Sequence, residues 1–69
     1  MRDRARDQLR AAGISFQEAN HGAMFIVADA WIFWPGVWRW RGRYDKAIEG
    51  TGVKTLISRI RRDQEKANG

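Results

Sequence analysis

Residues 31–43 read Trp31-Ile32-Phe33-Trp34-Pro35-Gly36-Val37-Trp38-Arg39-Trp40-Arg41-Gly42-Arg43 and hold all four tryptophans of a 69-residue chain. Trp31 to Trp34 is an apolar, β-prone run closed by a Pro-Gly turn signal, so it reads as a strand. After the turn, Trp38 and Trp40 alternate with Arg39, Arg41 and Arg43. In extended backbone that alternation puts the indoles on one face and the guanidinium groups on the other. The segment from Val37 to Gly50 is either a fourth strand or a long functional loop. A chain this short has little core in which to hide four indoles, so at least one of Trp38 and Trp40 is expected at the surface.

Working outward toward the N-terminus, Met24-Phe25-Ile26-Val27 is a second apolar strand. It is preceded by the turn cluster Asn20-His21-Gly22, in which glycine accepts a positive φ. Ile14 and Phe16 alternate with Ser15 and Gln17 as in a half-buried strand. Before them, residues 2–12 carry Ala5, Leu9 and Ala12 on one helical stripe, and Gly13 supplies a helix stop. Toward the C-terminus, Gly50-Thr51-Gly52 breaks the chain. Val53, Leu56, Ile57 and Ile60 then follow at helical spacing, with Lys54, Ser58, Arg61 and Arg62 on the other face. Residues 63–69 are polar and expected to fray. The connections are too short for parallel crossovers. The expected fold is therefore α+β, in the order α-β-β-β-α. A three-stranded antiparallel sheet carries two helices on one face, in a single domain over residues 1–69.

Ten arginines and three lysines against eight acidic residues give a formal charge of +5 and a pI near 10.8. Arginine favours bidentate contact with phosphate and stacks on bases and aromatic rings, so this balance points to an anionic partner. With no cysteine and one histidine, neither a disulfide framework nor a zinc site is expected, and no cofactor is implied. No apolar run approaches the length of a membrane span. Met1-Arg2-Asp3-Arg4-Ala5-Arg6 is not followed by a signal-peptide core. The cytoplasm is the expected compartment, and homodimerisation would offer a chain of this size a second source of burial.

The start of the second helix carries the clearest chemical signal. Free amides and the helix dipole favour an anion there, yet Lys54 occupies the first turn and no carboxylate lies between Thr51 and Ser58. A bound phosphate would satisfy lysine, dipole and amides together. The competing reading is that Thr51 caps the helix and Lys54 points to water. The Gly-x4-Gly-Lys-[Ser/Thr] spacing of a P-loop is absent. His21 could act as a general acid or base, but a lone histidine in an Asn-His-Gly turn reads first as a solvated turn residue, and it has no histidine partner. The pairs Asp29/Asp45 and Glu18/Glu49 read as solvated charges.

The helix–three strands–helix order, with Gly50-Thr51-Gly52-Val53-Lys54 at the second helix, resembles the double-stranded-RNA-binding-domain fold. That resemblance implies contact with RNA through the helix start, where the family has a lysine cluster and this chain has Lys54, with Arg61 and Arg62 two turns on. Leu9, Gly13-Ile14, Gly22-Ala23-Met24-Phe25, Pro35 and Gly52-Val53 also resemble the pattern of HicA-type toxins, mRNA-cleaving proteins on the same fold. Met24 stands where that family has its catalytic histidine, which implies a relative without the active centre.

The expected function is therefore that of a non-catalytic binding protein contacting RNA or another polyanion. Lys54, Arg59, Arg61 and Arg62 would meet phosphates, while Arg39, Arg41 and Arg43 would steer the ligand to Trp38 and Trp40. Tryptophan and arginine are also enriched at protein–protein hot spots. The alternative is thus a small inhibitor, of the kind mobile genetic elements carry against defence, docking this segment on a host protein. A weak ribonuclease dependent on His21 is the third reading.

Overall fold

The computed structural model describes residues 2–68, with side chains described from 3 to 66. Helix α1 (Arg2–Ala11) is followed by strands β1 (Phe16–Ala19), β2 (Met24–Val27), β3 (Trp31–Trp34), β4 (Arg39–Gly42) and β5 (Glu49–Thr51), then helix α2 (Val53–Asn68). The strands form one antiparallel meander in the order β1-β2-β3-β4-β5. The α+β class and the two helices stand as expected, but the sheet has five strands where three were expected. The segment that read as strand or loop supplies both additions. Helix α2 also takes in residues 63–68 of the segment expected to fray, and Gly69 lies outside the described residues.

Gly13 has φ +72°, and the amides of Gly13 and Ile14 bond back to the carbonyls of Arg10 and Leu9, both at 3.0 Å. This is a Schellman closure, with Leu9 and Ile14 as its apolar clasp; both are buried. Ile14 therefore closes α1, and β1 starts at Phe16. The β2–β3 hairpin turns through Ala28 and Asp29, with φ +50° and +57°. Ala30 donates its amide to the Val27 carbonyl at 3.1 Å. Two positive φ values match the right-handed twist of a hairpin. Asp29 is held by an ion pair to Arg43 at 2.6 Å, tying this turn to the end of β4.

Strand alternation sorts the sheet into two faces. Phe16, Phe25, Val27, Trp31, Phe33 and Trp40 point toward the helices, and Ala5, Leu9, Val53, Leu56 and Ile60 meet them in one cluster. Aromatic rings run through this layer. Phe16 stacks on Phe25 at 5.3 Å, Phe33 meets Trp38 edge-on at 5.4 Å, and Trp31 meets Trp40 edge-on at 5.5 Å. Burying one such indole removes roughly 150–250 Å² from water, worth about 4–6 kcal/mol. The aromatics thus supply the burial that a short chain otherwise lacks. Both helices lie on this face, and the opposite face of the sheet is uncovered.

Candidate functional site: cations around the start of helix α2

The β4 register decides what the tryptophan–arginine segment does. Trp40 pairs across from Phe33 and Gly50, on the helix-facing side. Arg39 and Arg41 pair across from Trp34 and Ile32, on the open side. The expected surface, with arginines steering a ligand to Trp38 and Trp40, is therefore not assembled. The alternation was real, but the helices cover its indole face. Trp40 is 6% exposed and Trp38 half-buried, so neither is the exposed indole that was expected.

Trp40 reaches over the sheet to the base of α2. Its Nε1 donates to Thr55 Oγ1 at 3.2 Å, and the Thr55 hydroxyl donates to the carbonyls of Thr51 and Gly52. Gly52 has φ +86° and donates its amide to the Trp38 carbonyl at 2.7 Å. The loop carrying Trp38 is thereby fastened to the residue from which α2 springs. No acidic residue lies in the first turn of α2. The dipole and the amides of that turn remain uncompensated by carboxylate.

The cations divide into committed and uncommitted groups. Arg6 pairs with Asp3 and Glu18, Arg43 with Asp29, and Arg59 with Asp63 at 3.4 Å. Arg59 also lies over the Trp31 ring, 5.9 Å from its centroid. Arg43 and Arg59, both expected to meet a ligand, are thus each engaged in an ion pair within the protein. Lys54, Arg61 and Arg62 are exposed and have no acidic partner among the described residues, and Arg4 of α1 joins them.

Lys54 stands where three depressions of the helical layer adjoin. One, of about 470 Å³, lies between Arg4, Gln8, Trp38, Gly52 and Lys54. A second lies between the helices, with Lys54 and Arg61 in its lining beside Gln8 and Ala12. The third, on the other flank of α2, places Lys54 with Arg62, Trp40 and Ser58. Each depression brings one more uncommitted arginine to the lysine. Arg4 and Gln8 were not singled out in the sequence. The i, i+4 step between them was a usable signal, since it puts both on the side of α1 that leaves Ala5 and Leu9 facing the core.

His21 lies apart from this group, exposed at the β1–β2 connection with φ +56°, and none of the three depressions includes it. Met24 sits in β2, pairing across from Ala19 on the open face. Among the described residues no group of three or more His, Cys, Asp or Glu is placed to hold a metal ion. No helix among them is long and apolar enough to cross a membrane. No family model, curated protein or solved structure matches the chain.

Proposed function

We propose that this is a non-catalytic binding protein for RNA or a related polyanion, gripping phosphates through its helical layer. The observation that carries the reading is the convergence of Arg4, Arg61 and Arg62 on Lys54, with no carboxylate partner for any of them among the described residues. Four cations without carboxylate partners spread over two packed helices form a positive surface that a polyanion would neutralise. The uncompensated start of α2 adds its amides and dipole to the same surface. In this reading Lys54, Arg61 and Arg62 have the phosphate-contacting roles expected from the sequence. Arg4 takes the place of Arg59, and Trp38 serves as a wall of the depression instead of an exposed stacking platform.

Charge reversal at Lys54 and Arg61 tests the proposal against a control elsewhere on the surface. Lys46, exposed in the β4–β5 connection, is such a control. Lys54→Glu/Arg61→Glu should weaken binding of a short RNA by tenfold or more, at about 1 kcal/mol or more per lost phosphate contact, and Lys46→Glu should change it little. A loss for Lys46→Glu half as large, in logarithm, as that of the double variant would follow the charge removed and reduce the effect to net charge. No RNA binding by the wild type would turn the reading toward an acidic protein partner.

A further inference from the structure

The uncovered face of the sheet carries a second arrangement that the helical layer does not use. Ile26, Ile32 and Arg41 lie opposite one another on β2, β3 and β4, and Glu49 is opposite Arg41 on β5. Opposite charges facing each other across strands ordinarily pair. These do not. The Arg41 guanidinium lies over the Trp34 ring, 5.3 Å from its centroid, and its Nε is shielded from solvent without a hydrogen-bond partner. Arg39 and Glu49 are exposed and unpaired among the described residues. A groove of about 540 Å³ opens here, with Trp34, Val37, Arg39, Arg41, Glu49 and Thr51 in its lining.

The chemistry of this groove has three parts. Trp34 and Val37 give an apolar wall, Arg39 and Arg41 give two cations, and Glu49 gives a lone acceptor across from them. A second copy of the chain is not the favoured occupant. Five strands of three or four residues, at about 3.3 Å per residue and 4.8 Å between strands, cover about 250 Å² in projection. A stable dimer needs about 800 Å² from each partner. We infer that the groove takes one unpaired nucleotide of an RNA strand whose base carries an exocyclic amino group. The base takes the place of the Arg41 guanidinium on the Trp34 ring, its amino group donates to Glu49, and the displaced Arg41 holds a flanking phosphate together with Arg39. Uracil, which turns a carbonyl where cytosine turns an amino group, would set acceptor against acceptor at Glu49.

This inference rests on the reading of the protein as an RNA binder, and base preference separates the two. Affinities for ten-residue oligocytidylate and oligouridylate are measured for the wild type, Arg39→Glu, Glu49→Ala and Lys54→Glu/Arg61→Glu, following the indole N–H signals by NMR. The wild type should prefer oligocytidylate by about tenfold, the scale of one good base-edge contact, with the Trp34 signal shifting. Glu49→Ala should equalise the two ligands, and Arg39→Glu should weaken both. Lys54→Glu/Arg61→Glu should weaken both while keeping the preference. Equal affinities with an unmoved Trp34 signal, and losses only in the Lys54 and Arg61 variant, would overturn the groove and leave the helical surface standing. Absence of binding by either oligonucleotide would overturn both.

Discussion

The indole of Trp40 occupies the space that a side chain at Gly50 would need: a Cβ built there would lie 2.7 Å from Cε2 of the ring. The same indole bonds Thr55 across the start of α2. One residue of β4 therefore fixes the pairing of β5 and the seat of the helix that carries Lys54. The position of the cationic surface depends on this contact.

Gly50→Ala should consequently destabilise the fold by about 1–3 kcal/mol, the usual range for overfilling a packed site. Urea unfolding measures it. Trp40→Leu is the informative partner substitution. With the ring gone, the added methyl should cost much less, so the double-mutant cycle should show strong coupling. Additive losses would mean that Gly50 is required for some reason other than the ring.

Thr55→Val keeps the shape of the side chain and removes the acceptor for Trp40 Nε1. Leaving that indole N–H without a partner should cost about 1–2 kcal/mol. The near-ultraviolet circular dichroism of the tryptophans should change with it, because the Trp40 ring that loses this bond is in edge-on contact with Trp31.

How far the sequence reaches is clear from these residues. The limits of β2 and β3 follow from apolar runs between turn signals, and the Gly13 stop closes α1 as its sequence implied. The last two strands were obscured by their glycines. Gly42 and Gly50 look like chain breakers, yet Gly42 ends β4 opposite Trp31 and Gly50 sits in β5 opposite Trp40, and at each something else approaches closely. A Cβ on Gly42 would lie 2.6 Å from the Asp45 carbonyl oxygen, and Gly50 faces the Trp40 ring. Local pattern cannot reveal a requirement imposed by a residue ten positions away. The alternation of Trp40 with Arg39 and Arg41 separated the two faces, but only the packed helices decide which face is covered. Trp34, on the other strand, then becomes the indole of the open side.

Lys54→Glu should move stability and binding in opposite directions. A carboxylate in the first turn complements the helix dipole and should stabilise the fold by about 0.3–1 kcal/mol at low salt. RNA affinity should fall in the same variant. Thermal unfolding and an RNA titration on one preparation measure both. A variant that is less stable as well as weaker would assign Lys54 a structural role.

Ala28→Gly should stabilise the protein by about 1 kcal/mol. Ala28 holds φ +50° in the β2–β3 turn, where a Cβ costs about 1–2 kcal/mol, partly offset by the greater freedom of glycine in the unfolded chain. An unfolding midpoint several degrees higher is the expected reading.

The salt dependence of RNA binding by the wild-type protein tests the central claim most directly. If Arg4, Lys54, Arg61 and Arg62 each neutralise one phosphate, the logarithm of the association constant should fall with the logarithm of salt concentration at a slope of about −3 to −4, and of about −4 to −5 for a strand that also engages Arg39 and Arg41. Charge reversal of Lys54 and Arg61 should flatten that slope by about 2. A slope near zero, or one that the substitutions leave unchanged, would contradict a phosphate-gripping helical layer.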